Sequence, residues 1–307
     1  MNYERLTRRD MLRVMGAAAL LVGSGGCTSN DTKPLPSPEP SKQVFPDATP
    51  NATKTPNVTA APTEKPTPKP IEKGPKPEDL NKTDVIFHAK QGVIFTFDDD
   101  YSPEWTEQVA DIALRKGVPL AFGPIGKNVE KHPETFQNLV NHGFAIFNHT
   151  MDHISLAPKK YKGIAILDKN GNYNLEYYEK EYARIRSQIE RAEATILDIT
   201  GKKPLPLLRP PGGLGIFGTQ NPILHQVAFD LGYKILMWSD DSNGWRKYPH
   251  TNEEAIKYTL NNIRKNLVDK AIVLQHPEPP DTLVFPKALD LAVRKKLKIE
   301  SLDQLAA

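Results

Sequence analysis

In the longer, C-terminal part of the chain, short apolar runs alternate with stretches whose apolar residues recur at helical spacing. The run Val93–Phe97 is apolar and β-branched, which is typical of a strand buried on both faces. Between 175 and 199, Ile185, Ile189 and Ile196 recur with a helical period among charged residues. The pattern predicts strands at 93–97, 118–122, 144–147, 205–208, 234–238 and 271–274, and helices at 103–116, 133–141, 175–199, 222–231, 252–267 and 284–296. Such alternation predicts an α/β domain with a parallel sheet, either open or closed into a barrel.

The first 27 residues have the pattern of an export signal. Arg8 and Arg9 precede a short apolar stretch, Val14–Val22, and small residues then lead to Cys27. This order is typical of a secretory signal, and the arginine pair resembles a twin-arginine signal. The residues before Cys27 resemble a bacterial lipobox, although Ser24 stands where an aliphatic residue is usual. We therefore predict an exported lipoprotein that is anchored to the cell membrane through acylated Cys27.

Proline is unevenly distributed along the chain. Thirteen of the 28 prolines lie in the segment 28–80, which contains one aromatic residue, Phe45. A segment so poor in apolar residues cannot bury enough surface to offset the entropy of ordering. The sequence thus predicts three parts: an export signal at 1–27, a disordered tether rich in Pro, Thr and Lys at 28–80, and a single catalytic domain at 81–307.

The composition excludes several classes of protein. The single cysteine rules out an intramolecular disulfide framework and any cysteine-rich zinc module. A net charge of +3 over 307 residues is too small to suggest a nucleic-acid-binding protein. No apolar run approaches the ~20 residues that span a bilayer. The expected contact with a membrane is therefore the lipid anchor, and we expect a monomer.

Ionisable residues follow the predicted strands, at the points where the strands end. They are Asp98–Asp100, His149, Arg209, Asp240–Asp241 and His276. In parallel α/β folds the loops beyond the carboxyl ends of the strands build the active site. The pattern therefore predicts that these side chains meet at one edge of the sheet.

Two histidines suggest a metal site. His149 and His153 are four residues apart, and in a helical turn this spacing puts both imidazoles on one face, within reach of one ion. Zinc needs a third protein ligand, and in a site without cysteines a carboxylate is expected. Asp98 and Asp99 are both candidates. The core-like residues before them argue against a merely solvated turn.

Five motifs occur in the order Thr96-Phe97-Asp98-Asp99, His149-Thr150-x-x-His153, Arg209-Pro210-Pro211-Gly212-Gly213, Trp238-Ser239-x-Asp241…Trp245 and Leu274-x-His276. In this order they resemble the polysaccharide deacetylase family (carbohydrate esterase family 4, the NodB-homology domain). The resemblance covers roughly residues 90–305. It implies an α/β fold of the deformed (β/α) barrel type, in a single catalytic domain.

The resemblance also implies a role for each motif. Asp99, His149 and His153 match the metal ligands of the family, for Zn²⁺ or another divalent ion such as Co²⁺, Ni²⁺ or Mn²⁺. Asp98 matches the general base that activates the metal-bound water, and Arg209 matches the arginine that orients this base. His276 matches the general acid. The residues implied to contact substrate are Gly212, Leu274, Trp245 and Asp241. Gly212 would donate a backbone N–H to the oxyanion, and Leu274 and Trp245 would surround the acetyl methyl group.

Three features depart from the family pattern, and one of them is that Ala121–Ile125 has fewer aromatic residues than is usual. Asp100 replaces the glycine that usually follows the paired aspartates, where a positive φ is expected. Gly244 replaces the acid that supports the catalytic histidine in the family, which puts the pKa and the orientation of His276 in question. Asp240, Asp241 and Glu278 are the candidates for a compensating acid.

The resemblance and the export signal together imply an extracytoplasmic hydrolase that removes acetyl groups from N-acetylhexosamine residues of a polysaccharide. Peptidoglycan is the favoured substrate because a lipid-anchored enzyme on a tether would meet it first, and a chitin-like oligomer is an alternative. Two other hypotheses remain open. One is an O-acetyl esterase acting on a polymer such as acetylxylan, and the other is a non-catalytic glycan-binding lipoprotein of the same fold.

Overall fold

Six consecutive buried residues, Ile94–Asp99, form the first long strand of the domain, as the apolar run predicts. The computed structural model describes residues 73–306. Within them the strands are β1 (Val85–Ile86), β2 (Ile94–Asp99), β3 (Ala121–Pro124), β4 (Ala145–Asn148), β5 (Leu205–Leu208), β6 (Lys234–Leu236), β7 (Asp240–Asp241) and β8 (Ile272–Gln275). Every pairing between these strands is parallel, and their order is β1-β6-β5-β4-β3-β2-β8-β7.

Helices connect and cover these strands. They are α1 (Pro103–Lys116), α2 (Gly126–Lys131), α3 (Pro133–Asn141), α4 (Leu175–Thr200), α5 (Pro222–Asp230), α6 (Glu253–Asn266) and α7 (Pro279–Arg294). Local chemistry sets several of their ends. The Asn174 and Asn252 side chains accept hydrogen bonds from backbone N–H groups in the first turns of α4 and α6. Gly117 ends α1 in the left-handed conformation, with φ of 63°.

The parallel sheet curls without closing, because β1 and β7 lie at its two ends and do not pair with each other. This curled half-barrel with helices packed on it confirms the predicted α/β fold of the deformed (β/α) barrel type. The carboxyl ends of all eight strands point the same way, so the loops that follow them share one edge of the sheet.

Alternate residues of β2 face different sides of the sheet. Phe95 and Phe97 pack with Phe285 of α7 in the larger apolar cluster, between the sheet and the helices. Ile94 belongs to a separate cluster on the other face, together with Phe147. Thr96 and Asp98 share the face of Ile94 because side chains alternate along a strand. The alternation of side chains along β2 thus directs Asp98 into the interior of the curled sheet.

Several elements differ from the sequence prediction. β1, β7 and α2 were not predicted, since each is too short to establish a period. The last long helix begins at Pro279, five residues before the predicted start at 284. Pro279 and Pro280 occupy the first turn, where the missing N–H groups of proline cost nothing. The earlier start places Asp281 inside the first turn of α7.

The described end of the predicted tether, residues 73–80, lies against the domain. Leu80 is buried in an apolar cluster, and the Pro75 carbonyl accepts a hydrogen bond of 2.9 Å from Tyr173 N–H. Ordered contacts with the domain therefore begin ahead of residue 81. The predicted export signal, Cys27 and the tether up to residue 72 lie outside the described residues and stay predictions. Among residues 73–306, no helix has both the length and the apolar character needed to cross a bilayer.

Asp240 is a buried carboxyl group that should lower the stability of the fold at neutral pH. It is 1% exposed, and burial raises its pKa to about 7 against the opposing effect of nearby Asn266. An unfolded aspartate has a pKa of about 3.9, so the folded chain holds this proton more tightly between about pH 4 and pH 7. The stability that the protonated group contributes is complete below about pH 4 and is lost as the pH rises through 7.

We therefore expect Asp240→Asn to be more stable than the wild type at pH 8, by on the order of 4 kcal/mol for a pKa shift of about three units. At pH 4 the two proteins should have nearly equal free energies of unfolding, measured by urea titration. Asp198→Asn, on an exposed part of α4, is the matched control. An equal gain at both pH values would contradict the prediction, because packing and not ionisation would then explain it.

Candidate active site

Four parallel strands bring ionisable side chains to one edge of the sheet. Asp98 and Asp99 are the last residues of β2. His149, Arg209 and His276 directly follow β4, β5 and β8. The edge predicted from the sequence is where these five side chains meet, as the following distances show.

Asp99, His149 and His153 form the tightest cluster at this edge. Asp99 Oδ1 lies 3.2 Å from His149 Nε2 and 3.0 Å from His153 Nε2. One ligand atom from each residue lies within 4.8 Å of the other two, a separation that suits three ligands around one ion. Asp98 Oδ2 is 3.8 Å from His149 Nε2. Of the two candidate carboxylates, Asp99 is therefore the one that lies close to both histidines.

The segment that carries the two histidines is a loop, and not the helical turn in which their spacing would put both rings on one face. Thr150 and His153 have φ of 67° and 52°, which no right-handed helix contains. Gln188 of α4 holds the loop by accepting a hydrogen bond from Asp152 N–H (2.9 Å) and donating one to Asp152 Oδ2 (2.7 Å). The imidazoles converge because α4 fixes this loop and not because a helix aligns them.

His149 turns a lone pair toward Asp99. Its Nδ1 lies 2.7 Å from the carbonyl oxygen of Arg209, which can only accept, so Nδ1 carries the proton. In the neutral ring, Nε2 then points its lone pair at the Asp99 carboxylate, an arrangement that is repulsive unless a cation or a proton lies between them. A ring fixed by a backbone carbonyl is also usual for a metal-ligating histidine. On these grounds the three residues fit a divalent cation.

The lowered pKa of Asp99 also suits a metal ligand. Burial raises the pKa of Asp99, but the hydrogen bonds with His149 and His153 and the charges of His149 and His276 outweigh it, so the pKa lies well below its ordinary value. Asp99 is therefore ionised over the whole physiological range, as a metal-ligating carboxylate must be.

Asp98 and Arg209 form a buried ion pair beside this cluster. Arg209 is fully buried, and its Nη1 donates to Asp98 Oδ1 (2.7 Å) and to Thr96 Oγ1 (2.8 Å). Its Nη2 donates to the carbonyl oxygen of Met237 (3.2 Å). Since Oδ1 of Asp98 is engaged by the guanidinium, Oδ2 is the oxygen that faces the histidine cluster.

Asp99 and the following Asp100 both have positive φ, of 77° and 53°. The expectation of a positive φ at Asp100 is thus confirmed, and aspartate tolerates this conformation better than most residues. Thr106 Oγ1 donates to Asp100 Oδ1 (3.0 Å), and Asn128 Nδ2 donates to the carbonyl oxygen of Asp99 (2.8 Å). These bonds hold the turn that carries Asp99 out of the regular strand.

His276 reaches the cluster from β8. Its Nε2 lies 3.8 Å from Asp99 Oδ2, and its Nδ1 lies 4.0 Å from Asp281 Oδ2. Burial lowers the pKa of His276, but the charges of Asp99 and Asp281 contribute to a net increase above the ordinary value. Among the acids considered from the sequence, Glu278 has an oxygen within 4.8 Å of a ring nitrogen of His276. Asp281 was not singled out from the sequence.

A cavity of about 420 Å³ opens over Asp99 and His276. Its walls include Tyr101, Trp245 and Tyr248, which are 63%, 41% and 58% exposed. Exposed aromatic rings beside a few convergent polar groups are typical of a ligand site. Sequence analysis singled out Trp245 but missed the two tyrosines, whose only signal was their closeness in sequence to Asp99 and Trp245.

The other predicted substrate residues lie at the same edge but are not among the residues that line this cavity. Gly212 is in the turn Pro211–Gly213 after β5, with φ of 59°. Leu274 is buried in β8, and its Cα pairs with that of Asp241 in β7. Asp241 Oδ1 accepts a hydrogen bond from Asn243 N–H (2.7 Å). The contacts of these three residues with substrate stay predictions.

Comparison with known proteins identifies the family. Residues 88–236 match the family model described as polysaccharide deacetylase, and this range contains Asp98, the Asp-His-His cluster and Arg209. Residues 88–236 therefore form a domain of the polysaccharide deacetylase family. His276 lies beyond the matched range, so the structure and not the family match brings it to the site.

Two relatives of this chain have names that state a substrate. A peptidoglycan-N-acetylglucosamine deacetylase of Bacillus cereus is 28% identical over 192 residues, which cover 62% of this chain and 58% of the relative. The peptidoglycan-N-acetylmuramic acid deacetylase PdaA of Bacillus subtilis is 25% identical over 233 residues, which cover 74% and 76%. The match thus spans less than two thirds of the length of the first relative.

Solved structures confirm the fold of the polysaccharide deacetylase domain. A carbohydrate esterase family 4 pseudoenzyme from Bacillus anthracis superposes with a TM-score of 0.57 at 18% sequence identity. The superposition covers 75% of this chain and 71% of that one. At this identity the likeness concerns the fold alone.

Proposed function

We propose that this chain is a metal-dependent hydrolase that removes acetyl groups from N-acetylhexosamine residues of an extracytoplasmic polysaccharide, with peptidoglycan as the favoured substrate. One observation carries the proposal. The buried carboxylate of Asp98 and the ring of His276 both lie beside the cluster of Asp99 and the two histidines, and a cavity with aromatic walls opens over Asp99 and His276. Amide hydrolysis needs an activated water, a stabilised oxyanion and a proton for the leaving amine. The names of the two relatives support peptidoglycan.

Asp99, His149 and His153 would hold the cation, with Zn²⁺ first and Co²⁺, Ni²⁺ or Mn²⁺ as alternatives. When bound, such an ion lowers the pKa of coordinated water and polarises the acetyl carbonyl. Three protein ligands leave coordination positions open for water and substrate, as in catalytic zinc sites. The protein contributes the rigidity of the ligands, since the carbonyl oxygen of Arg209 fixes the ring of His149 and Gln188 fixes the loop.

Asp98 is the proposed general base. Its Oδ2 faces the cluster, so it is placed to accept a proton from the attacking water, while Oδ1 stays in the ion pair with Arg209. The guanidinium offsets the cost of burying the carboxylate charge and fixes its orientation. Arg209 thus acts through Asp98, as a positioning residue.

His276 is the proposed general acid. His276 lines the cavity, its Nε2 lies 3.8 Å from Asp99 Oδ2, and, against the effect of burial, the charges of Asp99 and Asp281 raise the pKa of the ring. A protonated Nε2 can deliver its proton to the leaving amine, which is a poor leaving group without it.

The cavity supplies the proposed sugar site. Tyr101, Trp245 and Tyr248 present flat apolar faces on which a pyranose ring can pack. We assign the oxyanion donor to the backbone N–H of Gly212 and the acetyl pocket to Leu274 and Trp245, with Asp241 as a further polar contact. The family resemblance of their motifs supports these assignments.

Export, lipid anchoring at Cys27 and the tether belong to the same proposal, because they would place the domain within reach of the cell wall. Their support is the sequence pattern of residues 1–80. Labelling of cells with an alkyne fatty acid tests the anchor. Wild-type protein should carry the label, and Cys27→Ala protein should not.

Acetate release by the full-length chain tests the enzymatic proposal. We expect release from peptidoglycan, loss of that release after chelation and recovery after zinc is added back. Chito-oligosaccharides and acetylxylan belong in the same panel. Preferred release from acetylxylan would favour an O-acetyl esterase, and glycan binding without any release would favour a binding protein.

A further inference from the structure

We propose that Asp281 is the positioning residue of His276, holding the ring so that Nδ1 faces Asp281 and Nε2 faces the cavity. The inference rests on the function proposed above in one respect, because it assumes that His276 donates the proton. No sequence motif pointed to Asp281, which reaches the site from the first turn of α7.

Asp281 is a fully buried carboxylate whose contacts converge on the segment around His276. Its Oδ2 accepts hydrogen bonds from the backbone N–H of His276 (3.0 Å) and from Ser242 Oγ (3.0 Å). Its Oδ1 lies 3.5 Å from Gln275 Nε2. A buried carboxylate is tolerated only when it is hydrogen-bonded, and these donors fix Asp281 in one place.

The His276 ring leaves one nitrogen for Asp281. Among the described residues, Nδ1 is buried and has no hydrogen-bond partner, and Asp281 Oδ2 lies 4.0 Å from it. This distance is longer than a hydrogen bond, but catalytic hydrogen bonds tighten when substrate binds. A proton on Nδ1 that is directed at Asp281 leaves Nε2 as the ring atom that faces Asp99 and the cavity.

Gly244 makes room for this carboxylate. A Cβ atom at position 244 would lie 2.6 Å from Asp281 Cγ and Oδ2 and 2.7 Å from Oδ1. Real Cβ atoms do not come so close, so any side chain at 244 would have to displace the Asp281 carboxyl group. Position 244 and position 281 therefore compete for one small volume beside His276, and in this chain the acid comes from position 281.

Other acids also face His276. Asp98, Asp99 and Glu278 contribute to its electrostatic surroundings. Glu278 lines the cavity and Asp99 belongs to the metal cluster, whereas Asp281 is shielded from solvent and bonded to the His276 backbone. His276, Glu278 and Asp281 could also share a cation by geometry alone, so the test must distinguish that case.

The first test compares two acetyl substrates in Asp281→Asn. An amine leaves only when it is protonated, but a nitrophenolate leaves without a proton. We expect kcat for N-acetyl hydrolysis to fall about 100-fold with little change in KM, and hydrolysis of 4-nitrophenyl acetate to change less than about 3-fold. Asp290→Asn, an exposed acid on the same helix, should leave both rates unchanged. Equal losses with both substrates would overturn the proposal, because they would indicate a structural defect.

The second test moves the acid from position 281 to position 244, on the other side of the volume that the two positions share. Gly244→Asp alone should lose N-acetyl hydrolysis, since two carboxyl groups cannot fit. The double variant Gly244→Asp/Asp281→Gly should recover at least about 10-fold over Asp281→Asn, because the acid then approaches the ring from the other side. A double variant that folds and binds zinc but shows no recovery would contradict the positioning role.

A third measurement does not depend on activity. Two-bond ¹H–¹⁵N spectra of the zinc-loaded chain report which nitrogen of His276 is protonated. We expect Nδ1 to carry the proton in the neutral ring of the wild type, and Asp281→Asn to shift the population toward Nε2. An unchanged tautomer, or a second zinc per chain that Asp281→Asn loses, would overturn the proposal. A wild type that releases no acetate would contradict the proposed function alone.

Discussion

Asp98→Asn is expected to lower kcat for acetate release by about 1,000-fold, because an amide cannot accept the proton of the attacking water. Asp98 lies outside the Asp-His-His cluster, and its Oδ2 is 3.8 Å from His149 Nε2. The variant should therefore retain its zinc. Metal analysis and acetate release, measured on the same sample, check both parts of the prediction.

The same substitution should also destabilise the fold. Asp98 is the carboxylate partner of fully buried Arg209, and removing one partner of a buried ion pair typically costs about 3–5 kcal/mol. An amide oxygen can still accept the bond from Arg209 Nη1, so the cost should lie toward the lower end of that range. Activity must therefore be measured well below the melting temperature of the variant.

Asp100→Asn is the matched control for Asp98→Asn. Asp100 is equally buried and lies two positions further on, but its side chain accepts from Thr106 Oγ1 and, within residues 73–306, has no guanidinium partner. The amide can keep that hydrogen bond, so activity should fall far less than in Asp98→Asn. Comparable losses in both variants would show that the turn, and not a base at position 98, is what the reaction needs.

The sequence predicted which side chains meet at this site better than it predicted their local geometry. The apolar runs located β2, β4, β5 and β8, and the parallel arrangement of strands then placed the residues after them at one edge. The four-residue spacing of His149 and His153 correctly paired them, although the loop between them is held by Gln188 of α4 and not by a helical period. Such a loop depends on tertiary contacts, which a local pattern does not encode.

Asp281 shows a second limit of sequence reasoning. Its carboxylate meets Ser242, 39 residues away, and occupies the space that Gly244 leaves open. The loss of a side chain at 244 was visible in the sequence. The acids that the sequence offered in its place lie just before Gly244 (Asp240 and Asp241) or just after β8 (Glu278). Consecutive prolines concealed the start of α7, and with it the one acid that the helix turns toward His276.

His149→Ala is expected to remove both the bound metal and the activity that depends on it. His149 supplies one of the three ligand atoms. The carbonyl oxygen of Arg209 fixes the ring of His149. Loss of a first ligand should weaken zinc binding by more than the 10- to 100-fold effect of losing an outer partner. Acetate release should then equal that of the chelated wild type.

Thermal unfolding separates metal loss from misfolding in this variant. Zinc at about 100 times its dissociation constant should stabilise the wild type by about 2.7 kcal/mol, because only the folded chain presents the site. The variant should show no such shift, while the metal-free forms of both proteins should differ modestly, by about the 1–3 kcal/mol of an unsatisfied buried carbonyl. His142→Ala, at the exposed end of α3, should behave as the wild type in both measurements. A His149→Ala chain that still gains stability from zinc would place the cation elsewhere, and Asp99 and His153 would then lose their proposed role as well.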